Sequence, residues 1–367
     1  MFRNITIAMV IIGLAGCSQL PTNRGQQYLD GDFEQVLNEV PAVESEQPQD
    51  YSAFSEQMEK VIERSPSMAQ KYESLYRQIE NWAEQNGDPR QLGNYGIQVA
   101  QMGGGDSKGN VMFTGYYSPV IELRHQPDET YRYPVYGMPT CEERCPSREE
   151  IYQGALDGQG LELGYSASML DVFMMEVQGS GFVHFDDDGE LQYFAYKGKN
   201  GHRYVSIGRV LIERGEVPRE KMSLKAIEEW VNANDEATVR ELLEQNPSYV
   251  FFQPKDSLDV MGTAGIPLLA HASVAADREY LPMGSVILAE VPQLDEAGNW
   301  NGQHVLKLLM ALDTGGAVKM NHLDLYHGMG KQAGTDAGHY KHFGRVWKLG
   351  LQGSATEDPW LMPNAEK

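Results

Sequence analysis

Residues 305–326 read VLKLLMALDTGGAVKMNHLDLY, the most informative part of the sequence for the architecture. It begins with an apolar run through Leu312, breaks at two glycines, and resumes over 322–326 with strictly alternating polar and apolar residues. An apolar run bounded by glycines predicts a buried strand, and strict alternation predicts a strand with one polar face. The stretch therefore predicts two β-strands joined by a glycine turn.

Each of the two predicted strands carries a carboxylate. Asp313 ends the first, and Asp324 lies within the second, where it shares a face with His322 and Tyr326. The separation, 324 − 313 = 11 residues, suits neighbouring strands, so each carboxylate is expected to influence the pKa of the other. The alternative is that one or both only accept hydrogen bonds from turn amides.

The same region offers possible metal ligands, and these are His322, Asp324, His327, His339 and His342. They lack the i, i+4 helical spacing of two histidines that hold zinc on one helix face. The sequence therefore favours acid–base chemistry without a metal or another cofactor.

Outward from this stretch, short β-rich segments alternate with amphipathic helices. Residues 111–123 and 131–136 are β-rich, and Asp188-Gly189 is typical of the turn in a β-hairpin. Two apolar stripes at helical spacing, from Phe54 and from Met68, predict helices before the first strands. The pattern predicts a mainly β fold with peripheral helices and a second β domain inserted in the middle.

Charge limits the classes of partner. The chain has 52 acidic and 30 basic residues, a formal net charge of -22, and this acidity would repel nucleic acid. Its 41% hydrophobic content over 367 residues is enough for two domains. We therefore expect a globular protein that does not bind nucleic acid.

The N-terminus has the features of a lipoprotein signal peptide. Arg3 precedes an apolar run over 5–14, too short for a membrane span, and the run ends in LAGC at 14–17, which resembles a bacterial lipobox. Cys17 would be the acylated N-terminus. Ser18 follows it, and a serine at this position resembles the pattern of lipoproteins that are sorted to the outer membrane. Residues 18–49 are polar with three prolines, which predicts a flexible tether facing the periplasm.

Two further cysteines, Cys141 and Cys145, lie four residues apart. In an oxidising periplasm they could form a local disulfide, or they could remain a free pair. Zinc is disfavoured because no nearby cysteine supplies further soft ligands.

Several motifs together carry a family resemblance. Asp277, Asp313 and Asp324 resemble the three aspartates of the 3D domain, although Met320 stands where that family usually has glycine after Lys319. The middle of the chain is similar to the insert of the membrane-bound lytic murein transglycosylase A family. The motifs there are FTGYY (113–117), VQGSG (177–181), KNGHRY (199–204), IGR (207–209) and NPSYVFF (246–252).

The resemblance implies a double-psi β-barrel that carries the inserted β domain. On this basis residues 50–110 and 254–367 would form the barrel with its N-terminal helices, and residues 111–253 would form the other wall of a groove for a glycan strand. Peptidoglycan glycan strands would then be the substrate, and the outer-membrane lipid would be contacted through Cys17.

The resemblance also implies a reaction, that of a peptidoglycan lytic exotransglycosylase, a carbon–oxygen lyase. Asp324 would act as acid and then as base on the β-1,4 bond between N-acetylmuramic acid and N-acetylglucosamine, leaving 1,6-anhydromuramoyl ends. Asp313 and Asp277 would support it. The expected substrate-binding residues are Thr114, Gly115, Tyr116, Tyr117, Gln178, Gly179, Ser180, Gly181, Asn200, Lys319 and Tyr326.

Two other functions remain open from the sequence. A hydrolase could use a pair of carboxylates and a water molecule, which would leave reducing sugar ends. A peptidoglycan-binding lipoprotein without turnover would bind sacculi but release no fragments.

Overall fold

The structure, a computed structural model, describes residues 24–26, 28, 31–141 and 144–353. The strands within these ranges are β1 (Leu37–Val40), β2 (Gln49–Asp50), β3 (Ile97–Met102), β4 (Val111–Ser118), β5 (Val120–Arg124), β6 (Tyr133–Tyr136), β7 (Glu162–Ser166), β8 (Gly181–Phe185), β9 (Leu191–Lys199), β10 (Val250–Lys255), β11 (Ser273–Ala275), β12 (Val286–Leu294), β13 (Trp300–Asp313), β14 (His322–Met329), β15 (Lys341–Gly344) and β16 (Val346–Leu351). The α-helices are α1 (Phe54–Arg64), α2 (Pro66–Glu84), α3 (Arg148–Tyr152), α4 (Met169–Gln178), α5 (Ile207–Glu213), α6 (Leu224–Ala233), α7 (Glu236–Glu244) and α8 (Gly330–His339). No helix of the described ranges is long and apolar enough to cross a membrane.

Ten strands form one sheet that nearly closes on itself. Its order is β1-β3-β16-β12-β13-β11-β14-β4-β15, and β2 pairs with β13. The end of β15 approaches β12, where the Glu290 amide donates to the Arg345 carbonyl at 2.9 Å. The predicted fold is confirmed: a mainly β, double-psi barrel with a second β unit and peripheral helices.

The second sheet has six strands in the order β10-β9-β8-β5-β7-β6. As predicted, β8 and β9 form a hairpin whose turn contains Gly189 at φ 77°, a left-handed conformation that suits glycine. The chain passes from the barrel into this sheet at Pro119, the single residue between β4 and β5.

The sheet pairing differs from the predicted division at residue 111. We expected the inserted domain to start there, but β4 pairs with β14 and β15 of the barrel. The reason is that β4 and β5 read as one continuous β segment in sequence, although Pro119 separates them into two sheets.

Both faces of the central barrel strands are buried, as their apolar runs predicted. Leu308, Met310 and Leu312 pack with α1 and α2 in one cluster, whereas Leu309 and Ala311 pack in another on the opposite face. This arrangement explains why β13 reads as a near-continuous apolar run and not as an alternating one.

The two N-terminal helices form as the apolar stripes predicted. Tyr72, Leu75, Ile79 and Trp82 of α2 are buried against the barrel. The Ser65 hydroxyl caps the start of α2 by accepting from the Met68 amide at 3.4 Å. These helices cover one face of the sheet and leave the region around β14 to other elements.

The expectation of a flexible tether over 18–49 is wrong for its second half. Strand β1 pairs with β3, β2 pairs with β13, and Leu37 and Val43 are buried. The Ser45 hydroxyl donates to the Glu290 carboxylate at 2.5 Å. Isolated apolar residues between prolines give no periodicity, so the sequence did not signal this packing. Cys17 and the lipobox lie outside the described residues.

The Cys141–Cys145 pair forms a disulfide with Cα atoms 5.3 Å apart, which confirms one of the two alternatives left open. The Cys145 carbonyl lies 3.0 Å from Nε2 of His202. The bridge therefore fixes a loop beside the segment that follows β9.

Candidate active site

Three neighbouring strands bring the two predicted carboxylates together. β11 lies between β13 and β14, and Ala275 is paired with Asp313 on one side and with Asp324 on the other. The register of β11 and β13 shifts just before this pair, so that Ala275 faces Asp313 and not Leu312. Such an irregularity re-aims side chains, and here it puts Asp313 on the face that carries Asp324.

Asp324 is a partly buried carboxyl with few partners. Its Oδ1 lies 2.7 Å from the Thr114 hydroxyl, in agreement with the pairing of β4 and β14. Burial raises the pKa of Asp324 to about 6; the nearby charge of Asp313 also raises it, whereas the Thr114 hydrogen bond lowers it. Among the described residues, no lysine or arginine forms an ion pair with Asp324.

Asp313 is held much more firmly. Its Oδ1 accepts from the Thr263 amide at 2.9 Å, from the Thr263 hydroxyl at 2.6 Å and from the Thr314 amide at 2.8 Å. Its Oδ2 accepts from the Tyr116 hydroxyl at 3.1 Å. Both oxygens are thus occupied by donors of the chain, which fixes Asp313 as a charged neighbour of Asp324.

Thr114 also contacts His322. Its hydroxyl oxygen lies 2.8 Å from Nε2 of His322, and Nδ1 of that ring lies 3.3 Å from the Ala317 carbonyl. The prediction that His322, Asp324 and Tyr326 share one face is confirmed, since the intervening Leu323 and Leu325 are buried in the cluster on the other face.

Tyrosines line the site beside the carboxylates. Tyr116 and Tyr326 have ring centroids 5.2 Å apart, and the Tyr326 hydroxyl lies 3.1 Å from the Ser118 hydroxyl. Burial raises the pKa of Tyr326 to about 12, so its hydroxyl keeps its proton at neutral pH. Tyr117 packs its ring on Gly334 of α8, where an added Cβ would lie only 2.7 Å away.

The second sheet contributes the other side of the site. Gln178 ends α4, and its Oε1 accepts from the Tyr117 amide at 3.3 Å. Gly179 caps the helix at φ 85°, and Ser180 is hydrogen-bonded to Tyr193. The predicted Gln178 to Gly181 turn therefore contacts the barrel beside Tyr117, at the passage between the two sheets.

Two predicted substrate-binding residues have other roles. Asn200 is buried, and its amide is fully used: it donates to the carbonyls of Pro146 and Pro247 and accepts from the Tyr249 amide. Gly115 faces α8, where a Cβ would lie 2.7 Å from Cα of Ala337. These contacts give both residues a structural role, because a functional motif in sequence also contains residues that hold it in shape.

Asp277 and Lys319 lie on the loop side of the site. Asp277 accepts from the Met320 amide at 3.1 Å and is not among the charges that affect Asp324. Met320 has φ 51°, the left-handed conformation that favours the glycine usual in the family. Met320 thus adopts a conformation that glycine adopts readily, and the Lys319 side chain is exposed.

The alternative metal site is not assembled. His322 and Asp324 both contact Thr114, while His327 is buried and its ring nitrogens have no hydrogen-bond partner among the described residues. The group of three potential ligands that the described ranges do bring together is exposed and lies elsewhere, on the second sheet: His125, Asp187 and Asp188.

Thr263 is the main residue that the sequence analysis missed. It lies 50 positions before Asp313 and reaches it because Gly262 packs against the Leu312 carbonyl, 2.4 Å from an added Cβ. The only available signal was the Gly262-Thr263-Ala264-Gly265 turn.

The fold and the site together are those of a double-psi barrel protein with a partly buried carboxyl, Asp324, that no lysine or arginine of the described residues pairs with. The comparisons with known proteins narrow this class. Residues 112–253 match the MltA specific insert domain, and residues 272–350 match the 3D domain.

The chain is 65% identical over 361 residues to the membrane-bound lytic murein transglycosylase A of Vibrio cholerae, covering 98% of each. It is 48% identical over 350 residues to that of Escherichia coli K12, covering 95% of each. The crystal structure of E. coli MltA with bound chitohexaose has a TM-score of 0.86 and 47% identity, over 90% of this chain and 99% of that one. The chain belongs to the membrane-bound lytic murein transglycosylase A family.

Proposed function

We propose that the protein is a lytic transglycosylase that cleaves the β-1,4 bond between N-acetylmuramic acid and N-acetylglucosamine in peptidoglycan. The observation that carries this proposal is the carboxyl of Asp324 beside Asp313, without a cation partner among the described residues, whose pKa of about 6 lets it hold a proton near neutral pH. The similarity to an enzyme crystallised with a chitohexaose supports a glycan substrate.

One carboxyl can serve both halves of the reaction. Asp324 first gives its proton to the leaving glycosidic oxygen as the C1–O bond breaks. As a carboxylate it then takes the proton of the C6 hydroxyl of the muramoyl sugar, whose oxygen bonds to C1 and closes the 1,6-anhydro ring. The proton returns to Asp324, so that the cycle needs no water and no further reactant.

The geometry supports this cycle over a two-carboxylate hydrolase. A hydrolase needs its second carboxylate free to act on water or on the sugar. Both oxygens of Asp313 accept hydrogen bonds from Thr263, Thr314 and Tyr116. Asp313 is therefore suited to tune the pKa of Asp324 and poorly suited to be a base.

The substrate-binding residues that we keep are those around the two tyrosines and the passage between the sheets. They are Thr114, Tyr116, Tyr117, Gln178, Gly179, Ser180, Gly181, Lys319 and Tyr326. Tyrosine rings can stack on sugar faces, and the backbone of the turn can meet hydroxyl and N-acetyl groups.

Mass spectrometry of the products from purified sacculi tests the proposed reaction. We expect muropeptides with 1,6-anhydromuramoyl ends and no new reducing ends. Reducing ends would indicate the hydrolase, and sacculus binding without released fragments would indicate the binding protein. Prolonged treatment with a chelator is the control for a metal, and we expect it to leave turnover unchanged.

We also propose that Cys17 anchors the protein to the outer membrane through lipid, with the enzyme facing the periplasm. The relatives named membrane-bound support membrane association, and the lipobox supports the means. Cys17→Ala should yield a protein without lipid that no longer partitions with detergent-soluble membrane proteins. Continued partitioning after normal processing would contradict the anchor.

A further inference from the structure

The Thr114 hydroxyl lies between two groups that both compete for its single hydrogen. Its oxygen is 2.7 Å from Oδ1 of Asp324 and 2.8 Å from Nε2 of His322. A hydroxyl donates one hydrogen bond, so at any moment the Thr114 hydroxyl donates to only one of them. Which one it chooses depends on where His322 carries its own hydrogen.

The backbone decides the tautomer of His322. Nδ1 lies 3.3 Å from the Ala317 carbonyl, and because a carbonyl oxygen only accepts, Nδ1 carries the hydrogen. Burial lowers the pKa of His322, and the positive charge of Lys341 on β15 lowers it further. A neutral ring with its hydrogen on Nδ1 presents a lone pair at Nε2, so Nε2 accepts.

We infer that His322, acting through Thr114, favours the protonated form of Asp324. The Thr114 hydroxyl donates to Nε2 of His322, which leaves its oxygen free to accept from the carboxylic O–H of Asp324. A series of three hydrogen bonds then runs from Asp324 through Thr114 and His322 to the Ala317 carbonyl, with one hydrogen in each. Thr114 and His322 are positioning residues, since neither touches the scissile bond in this arrangement.

This inference rests on the proposed function and deepens it. When Asp324 gives its proton to the leaving oxygen, the Thr114 hydroxyl can turn and donate to the new carboxylate. When Asp324 regains a proton from the C6 hydroxyl, the Thr114 hydroxyl turns back to His322. Both forms of Asp324 are thus hydrogen-bonded, and neither Thr114 nor His322 gains or loses a proton over the cycle.

The other titratable groups around this chain of hydrogen bonds come from three neighbouring strands. They are Asp313 at the end of β13, Tyr116 on β4, and Lys341 on β15, which is paired with Thr114. Asp313 raises the pKa of Asp324, and Lys341 lowers that of His322. Each acts directly by charge, whereas His322 reaches Asp324 through the hydroxyl.

The experiment is an NMR titration of the full chain labelled with ¹³C at the aspartate carboxyls, without substrate. Asp324→Asn identifies the resonance of Asp324. In His322→Leu the freed Thr114 hydroxyl donates permanently to the carboxylate, so the pKa of Asp324 should fall by about half a unit to one unit. In His322→Gln the amide oxygen can accept from Thr114, and the pKa should return towards that of the parent protein.

A double-variant comparison isolates the route through the hydroxyl. In a Thr114→Val background, His322→Leu should no longer shift the pKa of Asp324, because the link is gone. His125→Leu, which removes an exposed histidine of the second sheet, is the matched control and should cause no shift. The alkaline limit of turnover should follow the measured pKa in each folded variant.

Two results would overturn the inference: an unchanged pKa of Asp324 in folded His322→Leu, or an equal shift with and without Thr114. If His322→Leu does not fold, His322→Ala takes its place, with the same expected fall in the pKa of Asp324 and the same comparison in the Thr114→Val background. The titration needs no turnover, so it is separate from the test of function. An Asp324→Asn variant with normal turnover would contradict the proposed function and leave the hydrogen-bond chain standing.

Discussion

Two carboxyl groups removed from solvent, Asp324 in the barrel and Glu176 in the second β unit, differ in whether a cation lies beside them. Glu176 on α4 lies against Arg148, with Nη1 to Oε1 at 3.1 Å and Nη2 to Oε2 at 2.8 Å. The Arg148 side chain also donates to the Asn246 and Ser248 carbonyls. Burial raises the pKa of Glu176, but the charge and hydrogen bonds of Arg148 oppose that rise. The Glu176 carboxylate in turn raises the pKa of Arg148, which burial alone would lower.

Asp324 has no such cation among the described residues, and its charged neighbour is another carboxylate, Asp313. Removing a charge from water without pairing it is costly, and the group responds by keeping its proton. An arginine thus opposes the effect of burial at Glu176, whereas no cation of the described residues does so at Asp324; we therefore expect a structural role for the first and propose the proton-donor role for the second.

The largest expected effect is on turnover. Asp324→Asn keeps nearly the same shape but cannot donate a carboxylic proton or act as a base. Turnover should fall by about 10²–10⁴-fold, the usual cost of losing general acid–base catalysis, while glycan binding remains. Release of anhydromuropeptides and sacculus binding are the measurements.

The matched control is Asp336→Asn, which removes an exposed carboxylate of α8 that contacts Gln332. Circular dichroism should show both variants folded. A folded Asp324→Asn with near-normal turnover would remove Asp324 from the catalytic role and with it the contrast drawn with Glu176.

The same change at Glu176 should affect stability and not chemistry. Glu176→Gln leaves the buried Arg148 guanidinium without a counter-charge, so the free energy of unfolding should fall by about 3–5 kcal/mol. Chemical denaturation measures it, with the exposed Glu149→Gln expected to stay within about 0.5 kcal/mol of the parent. A stability unchanged in Glu176→Gln would show that the pair does not hold the second unit together.

A third test uses the pH dependence of stability at Asp324. Its folded pKa of about 6 lies above the ordinary 3.8, so the folded state binds the proton more tightly than the unfolded state. The stabilisation from this proton is complete below about pH 4 and is lost as the pH rises through about 6. Above that, the buried carboxylate costs up to about 3 kcal/mol.

Asp324→Asn should therefore unfold with a free energy about 1–3 kcal/mol higher than the parent at pH 7.5. The difference should disappear at pH 4, where the parent is protonated. A variant that is less stable than the parent at pH 7.5 would mean that the carboxylate is well solvated in the folded state.

Much of this site could be predicted because the alternation of polar and apolar residues along a strand can be read directly from neighbouring positions in the sequence. The pattern from His322 to Tyr326 placed the polar residues on one face, and the apolar run before Asp313 predicted its strand. What could not be predicted depends on pairing between distant segments. The register shift that faces Ala275 with Asp313, and the contact of Thr263 across 50 positions, leave no periodic trace in the sequence.

The features that the sequence did not reveal elsewhere have the same origin. Asn200 lies in a motif of the family, and only the structure reveals that its amide is consumed by the backbone of distant segments. The segment 18–49 was predicted to be a tether because its few apolar residues are isolated, yet strands of the barrel pair with the backbone of its second half. The composition of a segment indicates how many apolar side chains it can bury. It does not indicate which backbone partners or packing surfaces a distant segment provides.

The smallest expected effect belongs to Asp313→Asn. The amide oxygen can still accept from Thr263 and Thr314, while the NH₂ group would face the Tyr116 hydroxyl, which must then accept. We expect a loss of stability of about 1 kcal/mol, typical of one altered hydrogen bond.

With the negative charge of Asp313 removed, the pKa of Asp324 should fall, but by less than in His322→Leu, because burial is the main cause that raises it. Turnover near neutral pH should drop by less than about tenfold, since a smaller fraction of Asp324 is protonated. Rates measured from pH 5 to pH 8 check this, because a pure change in pKa moves the alkaline limit and leaves the acidic plateau unchanged. An inactive Asp313→Asn at every pH beside an active Asp324→Asn would transfer the acid–base role to Asp313 and reverse the assignment of the two carboxylates.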